Sequence, residues 1–141
     1  MEVVQTVSAI LVNPEGKILL QQRDDRVRRF PDAWTTFGGA VEAGETPQQA
    51  MRRELVEEIE FAPDMRLWKM VPQLRLNGDK IAMLEIYVFV GRIDRLVSDI
   101  RVHEGRGAAY IGVADLDRLP IAFGFEMLFR EFFAVRELFG F

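Results

Sequence analysis

The chain has no cysteine, a single histidine and no long apolar run in its 141 residues. The absence of cysteine excludes disulfide bonds and thiolate metal sites. No apolar stretch approaches the roughly 18 residues that a membrane span requires. The N-terminus also lacks a charged segment followed by a long apolar run, which a secretion signal would contain. We therefore expect a soluble, cytoplasmic protein without a membrane partner.

An excess of basic residues is missing as well. The net charge is −4 and the isoelectric point lies near 5.1. A basic field over the whole protein is thereby excluded, so we expect no stable nucleic-acid partner, although local basic loops remain possible. The length suits a single domain over residues 1–141, and a hydrophobic content of 49% is sufficient for a sizeable core.

One short helix is predicted from its capping residues and its apolar period. Thr46 is a candidate N-cap, Pro47 suits the first helical position, and Gln49 completes a capping box. The pattern predicts a helix from Pro47 to about Ile59. Its core-facing stripe at i, i+4 and i+8 consists of Met51, Leu55 and Ile59.

The same helix carries three glutamates on one neighbouring face. Glu54, Glu57 and Glu58 stand at i, i+3 and i+4. Like charges at this spacing cost roughly 0.2–0.5 kcal/mol per pair, and Arg53 can offset part of that cost by pairing with Glu57. A hard divalent cation would relieve the repulsion fully, since Mg²⁺ prefers carboxylate oxygens. The alternative is a solvated acidic face with no ligand.

The spacing around these glutamates resembles a known signature. Gly39 is followed by Glu45 and then by the run Arg-Glu-Leu-Val-Glu-Glu-Ile-Glu-Phe over residues 53–61. The pattern from Gly39 to Phe61 closely resembles the box of the MutT-like Nudix hydrolases. One position departs from it, because Glu60 stands where that family usually has glycine. Glycine there would cap the helix in the left-handed conformation; with Glu60 the helix either ends there at a cost or runs a further turn towards Pro63.

The resemblance implies a metal-dependent hydrolysis of a nucleoside diphosphate linked to another group. Mg²⁺ is the expected cofactor, with Mn²⁺ as a substitute. The implied metal ligands are Glu54, Glu57 and Glu58, together with the carbonyl of Gly38. The resemblance also implies that Glu45 and Arg53 pair and hold the loop against the helix.

Three carboxylates are candidates for the group that activates water. They are Glu57, Glu58 and Glu104, and the sequence does not decide among them. Nudix-like proteins often place an additional acid in the loop before the last strand, and Glu104 matches that position loosely. His103, the single histidine, is interpreted as a surface residue rather than as a base.

Two residues outside the box are candidate substrate ligands. Arg23 lies at a strand end within a basic segment, where a guanidinium group can bind phosphate. Strand alternation places Glu85 on the same face as Met83 and Tyr87, where it either lines the substrate cleft or faces solvent. Four aromatic residues could stack on a base, although aromatic side chains more often lie in cores. These are Trp34, Phe37, Tyr87 and Phe123.

The remaining segments predict an α/β fold. Predicted strands cover Val3–Val12, Lys17–Gln22, Trp34–Phe37, Met65–Leu76, Lys80–Ile93 and Ala108–Val113. We expect a turn at Gly38-Gly39, a hairpin at Asn77-Gly78, and an edge or a bulge at Pro72. A C-terminal helix over Ile121–Phe141 has an apolar face that is wide enough to pack on the sheet and to contribute to a homodimer. The resemblance implies the same architecture, a Nudix-type α/β/α sandwich with a central mixed sheet.

The leading hypothesis is a Nudix pyrophosphohydrolase that acts on a nucleoside triphosphate or another nucleoside diphosphate derivative. The alternative is a catalytically silent Nudix-fold module that binds nucleotides and regulates. A purely structural acidic helix is a third reading, and it predicts no Mg²⁺-linked thermal stabilisation. The box specifies diphosphate chemistry, whereas residues outside it set the substrate.

Overall fold

A mixed seven-stranded sheet forms the centre of the molecule. The computed structural model describes residues 1–141, with every side chain except that of Asn77. The strands are β1 (Glu2–Val12), β2 (Ile18–Gln22), β3 (Trp34–Thr35), β4 (Phe37–Ala40), β5 (Met65–Asn77), β6 (Lys80–Arg92) and β7 (Gly107–Ile111). The helices are α1 (Pro47–Ile59) and α2 (Glu126–Val135), and short 3₁₀ segments lie at Val97–Asp99, Val113–Asp117, Ala122–Gly124 and Arg136–Phe139.

Strand β1 organises the sheet. Its whole length pairs in parallel with β6, while β4 and β2 pair antiparallel with its other edge. The order is β3-β2-β1-β6-β5, and β7 extends from β2. This topology brings the end of β2, the whole of β4 and the start of β7 to one region of the sheet.

The sheet is covered on both faces, as its alternating side chains require. On one face, Met51, Leu55 and Ile59 of α1 are buried in a cluster with residues of β1. On the other face, Phe129 and Phe132 of α2 join a second buried cluster. Burial of each large apolar side chain contributes roughly 1.5–3 kcal/mol. The arrangement confirms the predicted α/β/α sandwich.

Helix α1 has the predicted bounds and the predicted cap. The backbone N–H of Gln49 donates to the Thr46 hydroxyl at 3.2 Å, and the Thr46 N–H donates to the Gln49 side chain at 2.9 Å. The helix ends at Ile59 because Glu60 itself adopts the left-handed conformation, with φ 59° and ψ 22°. The alternative of a longer helix that continues towards Pro63 is wrong.

Replacing Thr46 by alanine should lower the free energy of unfolding by about 1 kcal/mol, because the capping box loses its hydroxyl. Urea unfolding of the variant beside the exposed-site control Gln48→Ala measures the difference. A loss no larger than that of the control would contradict the capping role.

The prediction of a turn at Gly38-Gly39 is wrong. The predicted Trp34–Phe37 strand is instead two strands, since β3 pairs with β2 and β4 pairs with β1. Gly38 and Gly39 lie inside β4, opposite Ser8 and Val7. These glycines let β4 lie close to β1 and to α1, and they do not reverse the chain.

The predicted C-terminal helix is shorter than expected. Only Glu126–Val135 is α-helical, because Phe123 adopts φ 61° and ψ 20° and Val135 leaves helical geometry at the other end. Its apolar face packs on the sheet, as predicted. The homodimer stays a prediction.

The hairpin of β5 and β6 forms as predicted, with β5 at the sheet edge. The register irregularity lies between Leu67 and Lys69, whereas Pro72 pairs regularly with Glu85. Of the two alternatives predicted at Pro72, the sheet edge is therefore confirmed and the bulge is absent. Among the helices of the described residues, none is long and apolar enough to cross a membrane.

Candidate functional site

The three box glutamates occupy different environments on α1. Packing of Leu55 onto the sheet turns Glu54 and Glu58 towards β4. Glu58 is 6% exposed, the Glu54 side chain is 14% exposed, and the Glu57 side chain is 58% exposed. The side chains of the predicted acidic face therefore range from buried, at Glu58, to mostly exposed, at Glu57.

Glu58 is a buried carboxyl group beside other carboxyl groups. The backbone N–H of Gly38 donates to its Oε2 at 3.1 Å. Burial, followed by hydrogen-bonded and charged contacts with Glu104 and then Glu54, raises the pKa of Glu58 to about 10. Without a cation, this site therefore favours the protonated carboxyl group.

The two glycines of β4 make room for this cluster. A Cβ atom on Gly38 would lie 2.0 Å from the carbonyl oxygen of Val7. A Cβ atom on Gly39 would lie 2.3 Å from Oε1 of Glu54. Glycine at both positions lets the strand pass close to β1 and to the helix.

Arg53 and Glu45 form the pair that the resemblance implies. The Arg53 Nε and Nη2 groups donate to the two oxygens of Glu45 at 2.7 and 2.9 Å, and Nη2 also donates to the carbonyl of Ala40 at 3.0 Å. The Arg53 hydrogen bonds, with one from the Glu42 N–H, lower the pKa of Glu45 to about 2. The pair joins the loop after β4 to the helix.

Arg53 also contacts the acidic face. Its Nη1 lies 3.1 Å from Glu54 and 3.4 Å from Glu57. The expected pairing of Arg53 with Glu57 is thus present, and Glu54 shares the same guanidinium group. One arginine therefore offsets part of the repulsion among three glutamates.

Glu104 reaches Glu58 because its loop is anchored on both sides. The His103 N–H donates to the carbonyl of Glu58 at 2.8 Å, and the Arg106 N–H donates to the carbonyl of Gln22 at 2.8 Å. Glu104 lies between these two anchors. The side chain of His103 is 43% exposed, in agreement with its interpretation as a surface residue.

The donor set fits a hard divalent cation. Among the described residues, no group of three acidic or histidine side chains is arranged so that it could hold a metal ion as it stands. However, the buried Glu58 carboxyl group contacts the carboxyl groups of Glu104 and Glu54. Oxygen donors with an unfavourable excess of negative charge are what Mg²⁺ or Mn²⁺ would bind.

A cavity of about 230 Å³ opens beside the acidic cluster. Arg23 and Glu104 line it together with Gly38, Arg75 and Phe123. The guanidinium groups of Arg23 and Arg75 stack on the Phe123 ring at 4.8 and 4.3 Å. The structure thus brings the candidates Arg23 and Glu104 together at one cavity.

Glu85 lies apart from that cavity. Its half-buried side chain lines a different depression, which Gln5, Val41 and Glu45 also border. Glu85 lies on the same face of β6 as Tyr87, as predicted, and Tyr87 packs against the cluster that includes α1. The structure does not place Glu85 with Arg23.

Arg75 is the cavity residue that the sequence reasoning missed. It lies on β5 and approaches Phe123 only because the hairpin crosses the C-terminal segment, where the Gln73 side chain donates to the Phe123 carbonyl at 2.8 Å. Burial, followed by the charges of Arg29 and Arg23, lowers the pKa of Arg75. The sequence carried no distinct signal for Arg75, because β5 also contains Arg66 and Lys69.

The sequence of this chain is similar to that of known proteins. The NUDIX domain model matches residues 3–124. A Nudix hydrolase of Deinococcus radiodurans is 38% identical over 69 residues, which are 48% of this chain and 40% of that protein. An 8-oxo-dGTP diphosphatase of Haemophilus influenzae is 43% identical over 58 residues, which are 41% of this chain and 42% of that protein. The matched segments thus span about two fifths of these relatives.

A solved structure extends the likeness to nearly the whole fold. The MutT protein of Methanosarcina mazei superposes with a TM-score of 0.73 at 20% identity, covering 93% of each chain. This likeness confirms the predicted fold class. Because the family model matches most of the sequence, the chain belongs to the Nudix domain family.

Proposed function

We propose that residues 1–141 form a single Nudix hydrolase domain that cleaves the diphosphate linkage of a nucleoside triphosphate or another nucleoside diphosphate derivative. Water attacks one phosphorus atom, the bridging P–O bond breaks, and a nucleotide and a second phosphorylated product leave. The observation that carries the proposal is the buried Glu58 carboxyl group, held against Glu54 and Glu104 beside a cationic cavity.

Glu54, Glu57 and Glu58 are the proposed metal ligands, with the Gly38 carbonyl as a fourth. Nudix hydrolases generally use divalent metal ions, and Mg²⁺ or Mn²⁺ is proposed here. A bound divalent cation would neutralise phosphate charge and lower the pKa of a bound water. Because the Glu57 side chain is exposed, substrate can reach the proposed ligands, while the hydrogen bond from the Gly38 N–H holds Glu58 in place.

Glu104 is the proposed acceptor of the water proton. Of the three candidates, Glu104 lines the cavity that Arg23 and Arg75 also border, whereas Glu58 is engaged with the Gly38 N–H. Glu57 lies at the exposed edge of the helix. A carboxylate that faces the substrate cavity and contacts the metal ligands is positioned for general-base work.

Arg23, Arg75 and Phe123 are the proposed binding groups for the nucleotide. A second cavity of about 530 Å³ shares these three residues and extends to Arg29. Guanidinium groups recognise phosphate oxygens, and an aromatic ring between them can face a base. The diphosphatase name of the Haemophilus influenzae relative makes nucleoside triphosphates the first class to test.

A substrate panel tests the proposal. Nucleoside triphosphates, nucleotide sugars and dinucleotides are each incubated with the protein and Mg²⁺, and the phosphorylated products are separated by chromatography. We expect hydrolysis of at least one class and none when EDTA is present. Tight nucleotide binding by calorimetry without product under Mg²⁺ or Mn²⁺ would favour the silent binding module instead.

Replacing Arg75 by glutamine should raise the KM for the nucleotide by about tenfold, because one charge-assisted phosphate contact is worth roughly 1.5 kcal/mol. The kcat should change little, since Arg75 is assigned to nucleotide binding and has no part in the attack of water. Arg66→Gln on the same strand is the matched control. Equal KM values for the two variants would contradict the assignment of Arg75.

A further inference from the structure

The departure at Glu60 is part of a contact between the helix end and the loop of Glu104. Glu60 closes α1 in the left-handed conformation, and its Oε2 accepts a hydrogen bond from Nε2 of His103. The guanidinium group of Arg101 lies 3.7 Å from the same carboxylate. Glycine at position 60 would adopt this backbone without strain but would offer no side chain to the loop.

The loop that carries Glu104 is also held at other points, on both sides of Glu104. The His103 N–H donates to the Glu58 carbonyl, and the Arg106 N–H donates to the Gln22 carbonyl. A Cβ atom on Gly105 would lie 2.3 Å from that same Gln22 oxygen, so the far side of the loop is tightly seated. The near side is held by two hydrogen bonds of His103, one from its backbone and one from its side chain, with Arg101 beside the same Glu60 carboxylate.

We propose that Glu60 is a positioning residue that acts through His103 to hold the Glu104 carboxylate against Glu58. This inference rests on the proposed function, in which Glu104 accepts the proton. The pair at Glu60 is exposed, with half of each side chain in solvent. Such pairs contribute little to global stability, so its effect is on the placement of the loop.

The test is the replacement Glu60→Gly, which restores the residue that the box usually has. We expect kcat to fall about tenfold, the usual size of a loss when a supporting contact is removed, with KM unchanged. Thermal stability should stay equal or rise, because glycine relieves the left-handed strain. Hydrogen exchange of the His103 and Arg106 amides should become faster.

Two further variants separate positioning from a general structural effect. Glu60→Gln keeps both the left-handed residue and an acceptor for His103, and we expect its kcat to return close to the unmodified value. His103→Ala should match Glu60→Gly, and the double variant should lose no more than either single one, because both remove the same contact. Glu15→Gln, in the exposed β1–β2 turn, is the control.

Specific results would overturn the inference. Unchanged amide exchange in Glu60→Gly would show that Glu60 does not hold the loop, whether or not the protein hydrolyses any nucleotide. Faster exchange with unchanged kcat in an active enzyme would show that the contact does not position Glu104. Absence of turnover in the unmodified protein would instead contradict the proposed function, and the exchange measurement would still decide on the contact.

Discussion

Replacing Glu58 by glutamine should reduce nucleotide hydrolysis by roughly 10³-fold, which corresponds to about 4 kcal/mol of activation free energy. The neutral amide keeps the size of the side chain and its place beside the Gly38 N–H. It removes the anionic oxygen that the proposed metal site requires. Folding should be retained, because burial already disfavours the charged form of Glu58.

The experiment compares kcat and kcat/KM for Glu58→Gln, Glu57→Gln and the control Glu131→Gln at saturating Mg²⁺. Circular dichroism and urea unfolding without metal establish that each variant is folded. We expect both box variants to lose turnover and the control to keep it. Rates near the unmodified value in Glu57→Gln and Glu58→Gln together would contradict the assignment of the metal ligands.

The local features of the site were predictable from the sequence because their determinants are close in the chain. Thr46 and Gln49 fix the start of α1, and the i, i+3, i+4 spacing places the glutamates on one side. The pairing of Arg53 with Glu45 spans eight residues and followed from the family resemblance. In each case a short-range rule or a fixed spacing carried the information.

The long-range features were not predictable in the same way. Arg75 contacts Phe123 because the β5–β6 hairpin packs against the C-terminal segment, and no local sequence pattern predicts that packing. Glu60 contacts His103 across 43 positions of sequence, so its replacement of glycine read as an isolated departure. The two strands β3 and β4 were predicted as one, since alternation does not reveal which partner a strand chooses.

The metal-free protein should lose stability as the pH rises from 5 to 9. The folded state holds a proton on Glu58, because burial and neighbouring acids raise the pKa of Glu58 from about 4.5 to about 10. The unfolded chain releases that proton above its ordinary pKa. The stabilisation that this proton provides is therefore fully present below pH 4.5. It declines as the pH rises through this window, by up to about 1.4 kcal/mol per pH unit for one proton.

Urea unfolding in EDTA across this pH range measures how steeply stability depends on pH, and the same series with Glu58→Gln shows how much of that dependence belongs to Glu58. We expect the variant to be nearly flat, because the amide does not titrate. Adding Mg²⁺ should stabilise the unmodified protein most at high pH, since metal binding requires deprotonated ligands. Glu45 does not confound the comparison, because its pKa near 2 keeps it ionised throughout. Parallel slopes for the unmodified protein and Glu58→Gln would show that Glu58 does not hold the proton.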